Sequence, residues 1–237
     1  MRSPDRLWAR YPGLLSRTAY AQPVQPLSDH SDPLIAAFPA DFAGDVENVL
    51  AVMPASRWGP VNPFSVVVEG QEVSIPGRLY HDEPPADVVA SLSPRQRQLL
   101  HCLYSRHCDG RVRQRHLAAI VGSLDPWVLP YILQLVGEYV VEILIAIIDE
   151  LRNLAAPGNS GHRAYGQFIV ENPLFFARTQ RRVVSYWSCY YRSAWASFGD
   201  YPGCALLDLL RSAASDRAGP PWPNLAPAVG TRADGCR

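Results

Sequence analysis

The stretch that decides the fold is DPWVLPYILQLVGEYVVEILIAIIDELRNL, residues 125–154. On a helical projection, apolar side chains cover nearly its whole circumference. Its polar side chains form one narrow stripe, made by Gln134, Glu138, Glu142 and Asp149. A helix of this kind is buried near the centre of a domain. We therefore predict one long helix, capped by Asp125-Pro126 and continuing to about Leu154.

The same stretch argues against a membrane protein. Glu138 and Glu142 lie near the middle of the apolar run, where two carboxylates would be costly in lipid. The start of the chain contains no apolar core typical of a secretory signal, and the five cysteines include no C-x-x-C pair. We therefore expect a soluble, cytoplasmic protein with reduced thiols, without a membrane partner.

Helical patterns also flank the long helix. Before it, Ser93-Pro94 is typical of a helix start with a capping box, and a second helix is predicted over about 112–121. After it, we predict a helix ending near Glu171, a fifth from Asn172-Pro173 to about Phe198, and a sixth over 204–214. A shorter helix is a candidate for residues 41–53.

The N-terminal part contains one β-hairpin signal, residues 64–75 with Glu69-Gly70 as the turn. The predicted fold class is therefore mainly α: a helical globular domain of about six helices with a small N-terminal β-hairpin. Its boundaries follow from composition. They are an extended arm over 1–33, a single mainly helical domain over 34–217 with its helical core at 92–214, and a loose tail over 218–237.

The basic residues have an unusual composition. All 22 are arginine, they balance 22 acidic residues, and lysine is absent. The chain therefore lacks a lysine nucleophile, a Schiff-base lysine and the lysine of a P-loop. Every cationic contact must be made by a guanidinium, which favours paired hydrogen bonds to carboxylate or phosphate.

Arginines concentrate on one face of the predicted fifth helix. Residues 178–192 contain four arginines and no acidic residue, and the aromatic side chains fall on the opposite face. We take this face, with two arginines of the second helix, as a candidate anion or partner surface. Its members are Arg178, Arg181, Arg182, Arg192, Arg111 and Arg115. The alternative is an ordinary solvent-exposed face in a chain without lysine.

A second group of polar residues is predicted to be buried. Arg113 falls on the apolar side of the second helix, and a half-buried guanidinium needs a carboxylate. We therefore predict that Arg113 pairs with Glu138 or Glu142. With His116 on the same side, the predicted buried polar network is Arg113, His116, Glu138 and Glu142.

Histidines and cysteines crowd into residues 101–116, but their spacing does not favour a metal. His101 and His107 are six positions apart, about 120° around a helix, so one ion would not contact both. The least unsuitable ligands are His107, Cys108 and His116. The chain contains no G-x-S-x-G, H-E-x-x-H or glycine-rich loop. We predict no catalytic residues, no metal and no cofactor.

Four segments resemble an uncharacterised family of predicted soluble proteins from high-GC Gram-positive bacteria. They are IPGRLY at 75–80, LYSRHCDGRVRQRHL at 103–117, DPWVLPYILQLVGEYVVEI at 125–143 and RVVSYWSCYYR at 182–192. No activity is known for the family, so the resemblance implies a bacterial, soluble context and nothing about catalysis.

The sequence leaves three functions open. The first is a non-enzymatic protein that acts by binding an unidentified protein partner, since separate acidic and arginine-rich faces suit docking. The second is a weak nucleic-acid or phosphate binder that uses the arginine-rich face, with nucleic acid less favoured. The third is an enzyme or metal site centred on Glu138, Glu142 and His116.

Overall fold

The computed structural model describes residues 32–154 and 158–227. Most of the arm predicted for residues 1–33, and the part of the tail beyond residue 227, lie outside the described residues. The assignment of residues 34–217 to one domain stays a prediction.

The described chain is mainly α-helical with one small antiparallel hairpin, which confirms the predicted fold class. The strands are β1 (Phe64–Val68) and β2 (Gln71–Ile75). The α-helices are α1 (Ala43–Val52), α2 (Ala86–Ser91), α3 (Pro94–Tyr104), α4 (Gly110–Ala118), α5 (Leu129–Val136), α6 (Val141–Leu154), α7 (Ser160–Glu171), α8 (Pro173–Tyr186) and α9 (Pro202–Ala218). Within this part of the chain, no helix is both long and apolar enough to cross a membrane.

The hairpin forms in the predicted register. Phe64 pairs with Ile75 and Val66 with Val73, and the turn residues Glu69 and Gly70 have φ of 50° and 80°. Positive φ at both turn positions matches the right-handed twist of the strands, and glycine adopts it without strain. One face of the hairpin is buried in the core.

The free edge of β1 is covered by a side chain. The backbone N–H of Val67 donates to Asn172 Oδ1 at 2.7 Å, and Asn172 Nδ2 donates to the Val67 carbonyl at 2.9 Å. Asn172 itself lies between α7 and α8. The amide thus makes the hydrogen bonds of a neighbouring strand and attaches the hairpin to the start of α8.

The prediction of one helix from Asp125 to Leu154 is wrong. Residues 125–128 form turns, and the helix is divided into α5 and α6 by the non-helical segment 137–140. Gly137 ends α5 with φ of −86° and ψ of 26°. Glu138 lies in this break, surrounded by arginines. Their attraction for its carboxylate offsets the helical hydrogen bonds that are lost there.

Other predicted elements exist with different ends. The capping box at Ser93 is confirmed, and Gln96 completes it. The predicted fifth helix ends at Tyr186 and is followed by a turn of π-helix over Trp187–Tyr191, which shifts the faces presented by later residues. Helix α2 lies in a segment for which the sequence predicted no element.

Backbone hydrogen bonds fix the segment that follows β2. The N–H groups of Gly77 and Arg78 both donate to the carbonyl of Val61, at 3.0 and 3.2 Å. The N–H of Leu79 donates to the carbonyl of Arg106 at 2.9 Å. These bonds place Arg78 beside the loop between α3 and α4.

Gly77 allows this close approach, because a Cβ at this position would lie 2.4 Å from the carbonyl oxygen of Asn62. We predict that Gly77→Ala lowers the free energy of unfolding by about 1–3 kcal/mol through overpacking. Gly44→Ala is the matched control, since nothing lies within 4 Å of a Cβ there and α1 favours alanine. Urea denaturation of both variants tests this. Equal stability of Gly77→Ala and the wild type would contradict it.

Candidate anion-binding site

The centre of the candidate site is the carboxylate of Glu138, which is completely buried. Four arginine side chains lie within ion-pair distance of it. Their Nη2 atoms approach its oxygens at 2.8 Å for Arg78, 3.3 Å for Arg106, 3.6 Å for Arg113 and 3.7 Å for Arg182. We call these five residues the Glu138 cluster.

Two arginines of the cluster, Arg78 and Arg106, lie on segments that are held together by a backbone hydrogen bond. Arg106 is completely buried, and its Nη2 also donates to the carbonyl of Gly77 at 2.8 Å. Arg78 donates to the same carbonyl from Nη1, also at 2.8 Å. A single carbonyl therefore orients two guanidiniums towards Glu138.

Arg113 is the third member and the one predicted from the sequence. Its Nη1 donates to the carbonyls of His107 and Cys108, at 2.8 and 2.9 Å. Its Nη2 lies 3.6 Å from Glu138, so the structure brings together one of the two predicted pairs. The Nε and Nη2 groups of Arg113 are buried without a hydrogen-bond partner among the described residues. Such orphaned donors are costly and mark a site where charge is not fully compensated.

The cluster carries more positive than negative charge. Burial alone would raise the pKa of Glu138, but the four arginines outweigh burial and hold its pKa at about 2. Burial, together with the neighbouring arginines, lowers the pKa of Arg106 to about 9 against the opposing effect of Glu138. Four guanidiniums and one carboxylate leave an excess of three positive charges.

A pocket of about 510 Å³ lies beside the cluster. Its polar walls are Asn62, Gly77, Arg78, Gln134, Arg178 and Arg182, and Pro63 and Phe64 add an apolar side. Arg78 and Arg182 belong both to the pocket wall and to the Glu138 cluster, with side chains about a quarter exposed. The described residues that line the pocket include no acidic side chain.

Two further polar side chains of the pocket wall lack partners. Gln134 is only 8% exposed, yet its amide makes no hydrogen bond with any residue that the structure describes. Arg178 is exposed and likewise makes no ion pair within 32–154 and 158–227. Because Gln134 lines the pocket and its amide is unpartnered among the described residues, its donor and acceptor are available to a ligand there.

The structure divides the arginine face predicted for the fifth helix. Arg182 turns towards Glu138, Arg178 lines the pocket, and Arg181 is exposed. Arg192, beyond the π-helical turn, lies over the ring of Trp187 at 5.6 Å. In α4, Arg115 pairs with Glu83, and Arg111 is exposed. The six arginines therefore have different surroundings.

His116 belongs to a different cluster from the one predicted. Its Nε2 contacts Glu83 Oε1 at 2.9 Å, and its Nδ1 contacts Nδ1 of His101 at 2.8 Å. Glu142 is half-buried at the start of α6, and no hydrogen bond or ion pair links it to a described residue. The predicted network therefore needs correction in two members. His116 contacts residues of α3 and of the loop before α2. Glu138 lies in the break after α5, whereas Glu142 lies at the start of α6, so the two glutamates have different neighbours.

The two histidines and Glu83 form a chain with defined proton positions. Hydrogen bonds from His116 and Arg115 lower the pKa of Glu83 against its partial burial, so its carboxylate accepts the Nε2–H of His116. Nδ1 of His116 then accepts a hydrogen bond from the Nδ1–H of His101. Burial, with smaller contributions from His116 and Arg97, lowers the pKa of His101 to about 4. Burial also lowers the pKa of His116, so both rings are neutral at pH 7.

No group of three or more histidine, cysteine, aspartate or glutamate side chains in the described parts of the chain is arranged to hold a metal ion. His107 and Cys108 are sequence neighbours whose side chains approach only to 3.9 Å. His116 is engaged by Glu83 and His101. His107, Cys108 and His116, the least unsuitable ligands in the sequence, therefore do not come together as such a group.

Comparison with protein-family models, with curated proteins and with solved structures finds no match. The site is therefore interpreted from its own residues.

Sequence reasoning missed Arg78, Arg106 and Gln134. Arg78 lies outside every predicted element, and Arg106 lies among the histidines and cysteines whose spacing does not favour a metal. Gln134 was placed in the polar stripe with no role. One signal was available: each of the four segments quoted above at 75–80, 103–117, 125–143 and 182–192 contributes to the Glu138 cluster.

Replacing the central carboxylate tests the cluster. We predict that Glu138→Gln lowers the free energy of unfolding at pH 7 by about 3–5 kcal/mol, because it leaves buried guanidiniums uncompensated. The pKa of Glu138 is lowered in the folded state, so its contribution is present above pH 4.5 and is lost as pH falls towards 2. Urea denaturation of both proteins at several pH values should show the difference shrinking over that range. A difference independent of pH would contradict the assignment.

The histidine chain predicts a second pH dependence. The pKa of His101 is lowered from 6.5 to about 4, so the contribution of the neutral ring is present above pH 6.5 and is lost as pH falls to 4. We expect the wild type to lose more stability than His101→Gln between these pH values, because glutamine does not titrate. Thermal unfolding at pH 4, 5, 6 and 7 measures this. Parallel curves for the two proteins would show that His101 does not titrate as described.

Proposed function

We propose that this protein binds a small anionic ligand in the pocket lined by Arg78, Arg178 and Arg182. The observation that carries the proposal is the uncompensated charge of the site. Arg78 and Arg182 share one buried carboxylate with two further arginines, and the pocket they line has no acidic residue among its described members. An anion in the pocket would supply the missing negative charge.

The dimensions of the pocket suit a small molecule. Its volume of about 510 Å³ falls within the range of about 300–1,000 Å³ usual for ligand pockets. One of its guanidiniums is held in place before binding, since Arg78 is fixed by the Gly77 carbonyl and by Glu138. A preorganised site loses less side-chain entropy on binding.

The alternatives from the sequence have less support. Nucleic-acid binding needs a continuous basic surface, whereas the arginines of α8 are divided between the pocket, the Glu138 cluster and solvent. An enzyme centred on Glu138 needs an accessible carboxylate, but Glu138 is buried among guanidiniums. The prediction of a protein partner stays a prediction.

Arg178 provides the sharpest test, because it lines the pocket without supporting the fold. We expect at least one of inorganic phosphate, succinate, citrate and phenyl phosphate to bind with one-to-one stoichiometry in isothermal titration calorimetry. Arg178→Gln should weaken that binding at least tenfold, since a hydrogen bond to a charged group contributes about 1.5–3 kcal/mol. Arg181→Gln is the matched control, an exposed arginine of the same helix outside the pocket wall, and should change affinity less than twofold.

Two results would overturn the proposal. The first is no binding of any of the four anions at millimolar concentration and low ionic strength. The second is an equal loss of affinity in Arg178→Gln and Arg181→Gln, which would indicate diffuse attraction to the surface. A short labelled RNA, titrated into the same proteins, tests the alternative of nucleic-acid binding. A surface site for RNA would bind it, and both substitutions would weaken that binding equally.

A further inference from the structure

We infer that the anionic group recognised by the pocket is the phosphate of a phosphate monoester. This inference rests on the proposed function and names the class of ligand. It depends on how many donors the pocket directs at its ligand, on the charge those donors leave uncompensated, and on the space beyond them.

A phosphate ester matches the three guanidiniums of the pocket more closely than a carboxylate does. Three guanidiniums line the pocket, and Arg178 lies one helical turn before Arg182, so their side chains are neighbours on α8. Arg182 donates no hydrogen bond within the described residues and lies 3.7 Å from Glu138. A carboxylate offers two oxygens in one plane. A phosphate ester offers three terminal oxygens in different directions, enough for three guanidiniums at once.

Gln134 adds a donor of a different kind. Gln134 as a residue is more than nine-tenths buried, it belongs to the pocket wall, and its amide has no partner in the part of the chain that the structure describes. An amide N–H₂ is a good donor to a phosphoryl oxygen, and its carbonyl can accept from a protonated one. The unpaired amide therefore adds a polar group to the pocket wall, as a phosphate ligand requires.

Charge favours a dianion over a monoanion. The Glu138 cluster has an excess of three positive charges, and Arg178 adds one more outside it. A phosphate monoester carries about −1.5 to −2 at pH 7. It would therefore compensate about half of this excess, where a single carboxylate would compensate a quarter.

The remaining volume favours an ester over free phosphate. The pocket of about 510 Å³ is far larger than one phosphate group, and Pro63 and Phe64 add apolar side chains to its lining. Apolar side chains beside charged donors fit a ligand with an anionic end and a carbon-containing end. The organic group would contact these two residues.

The test compares two dianions that carry the same apolar group. Phenyl phosphate and phenylmalonate each contain one phenyl ring and both carry about two negative charges at pH 7.5. In calorimetric titrations of the full chain, we expect phenyl phosphate to bind at least tenfold more tightly than phenylmalonate and than inorganic phosphate. Gln134→Met, which keeps side-chain length without the amide, should weaken phenyl phosphate binding about five- to tenfold. Arg181→Gln should not.

The outcomes separate this inference from the proposed function. If phenylmalonate or succinate binds as tightly as phenyl phosphate, with loss in Arg178→Gln, the pocket binds anions but the phosphate assignment is wrong. If inorganic phosphate binds as tightly as phenyl phosphate, the ester assignment is wrong. Wild-type affinity in a folded Gln134→Met, checked by its thermal midpoint, would also overturn the inference. If none of these anions binds, the proposed function itself fails.

Discussion

The attraction between one buried carboxylate and four guanidiniums joins segments of this structure that are far apart in sequence. Glu138 lies in the break between α5 and α6. Its partners come from the segment after β2, the loop after α3, the helix α4 and the helix α8, as Arg78, Arg106, Arg113 and Arg182. A continuous helix through 137–140 would not place Glu138 at the centre of these four guanidiniums. The ion pairs therefore determine the path of the backbone as well as the chemistry of the nearby pocket.

Sequence patterns predicted the elements better than their ends. The hairpin register and the capping box at Ser93 were predictable because turn residues and caps act locally. The break at Glu138 was not predictable, because it depends on arginines up to 60 positions away along the chain. Apolar periodicity alone favours one continuous helix through this stretch.

The residues of the candidate site were likewise predictable only in part. Arg113 could be assigned a carboxylate partner from helical geometry and burial, and it lies 3.6 Å from Glu138. Arg78 lies outside any periodic segment, so its neighbours depend on tertiary hydrogen bonds to Val61. Gln134 is polar on an apolar helix, a pattern that indicates a partner without naming one. The excess of positive charge at this site is apparent only when the structure shows every guanidinium around Glu138.

The amide of Asn172 has a mechanical consequence for the pocket. One pocket wall, Gly77 and Arg78, follows directly after β2, and the other, Arg178 and Arg182, belongs to the helix that begins right after Asn172. By holding β1 at Val67, the amide connects the bases of the two walls. The separation of the two walls therefore depends on a residue outside the pocket lining, and shortening that side chain would release one wall from the other.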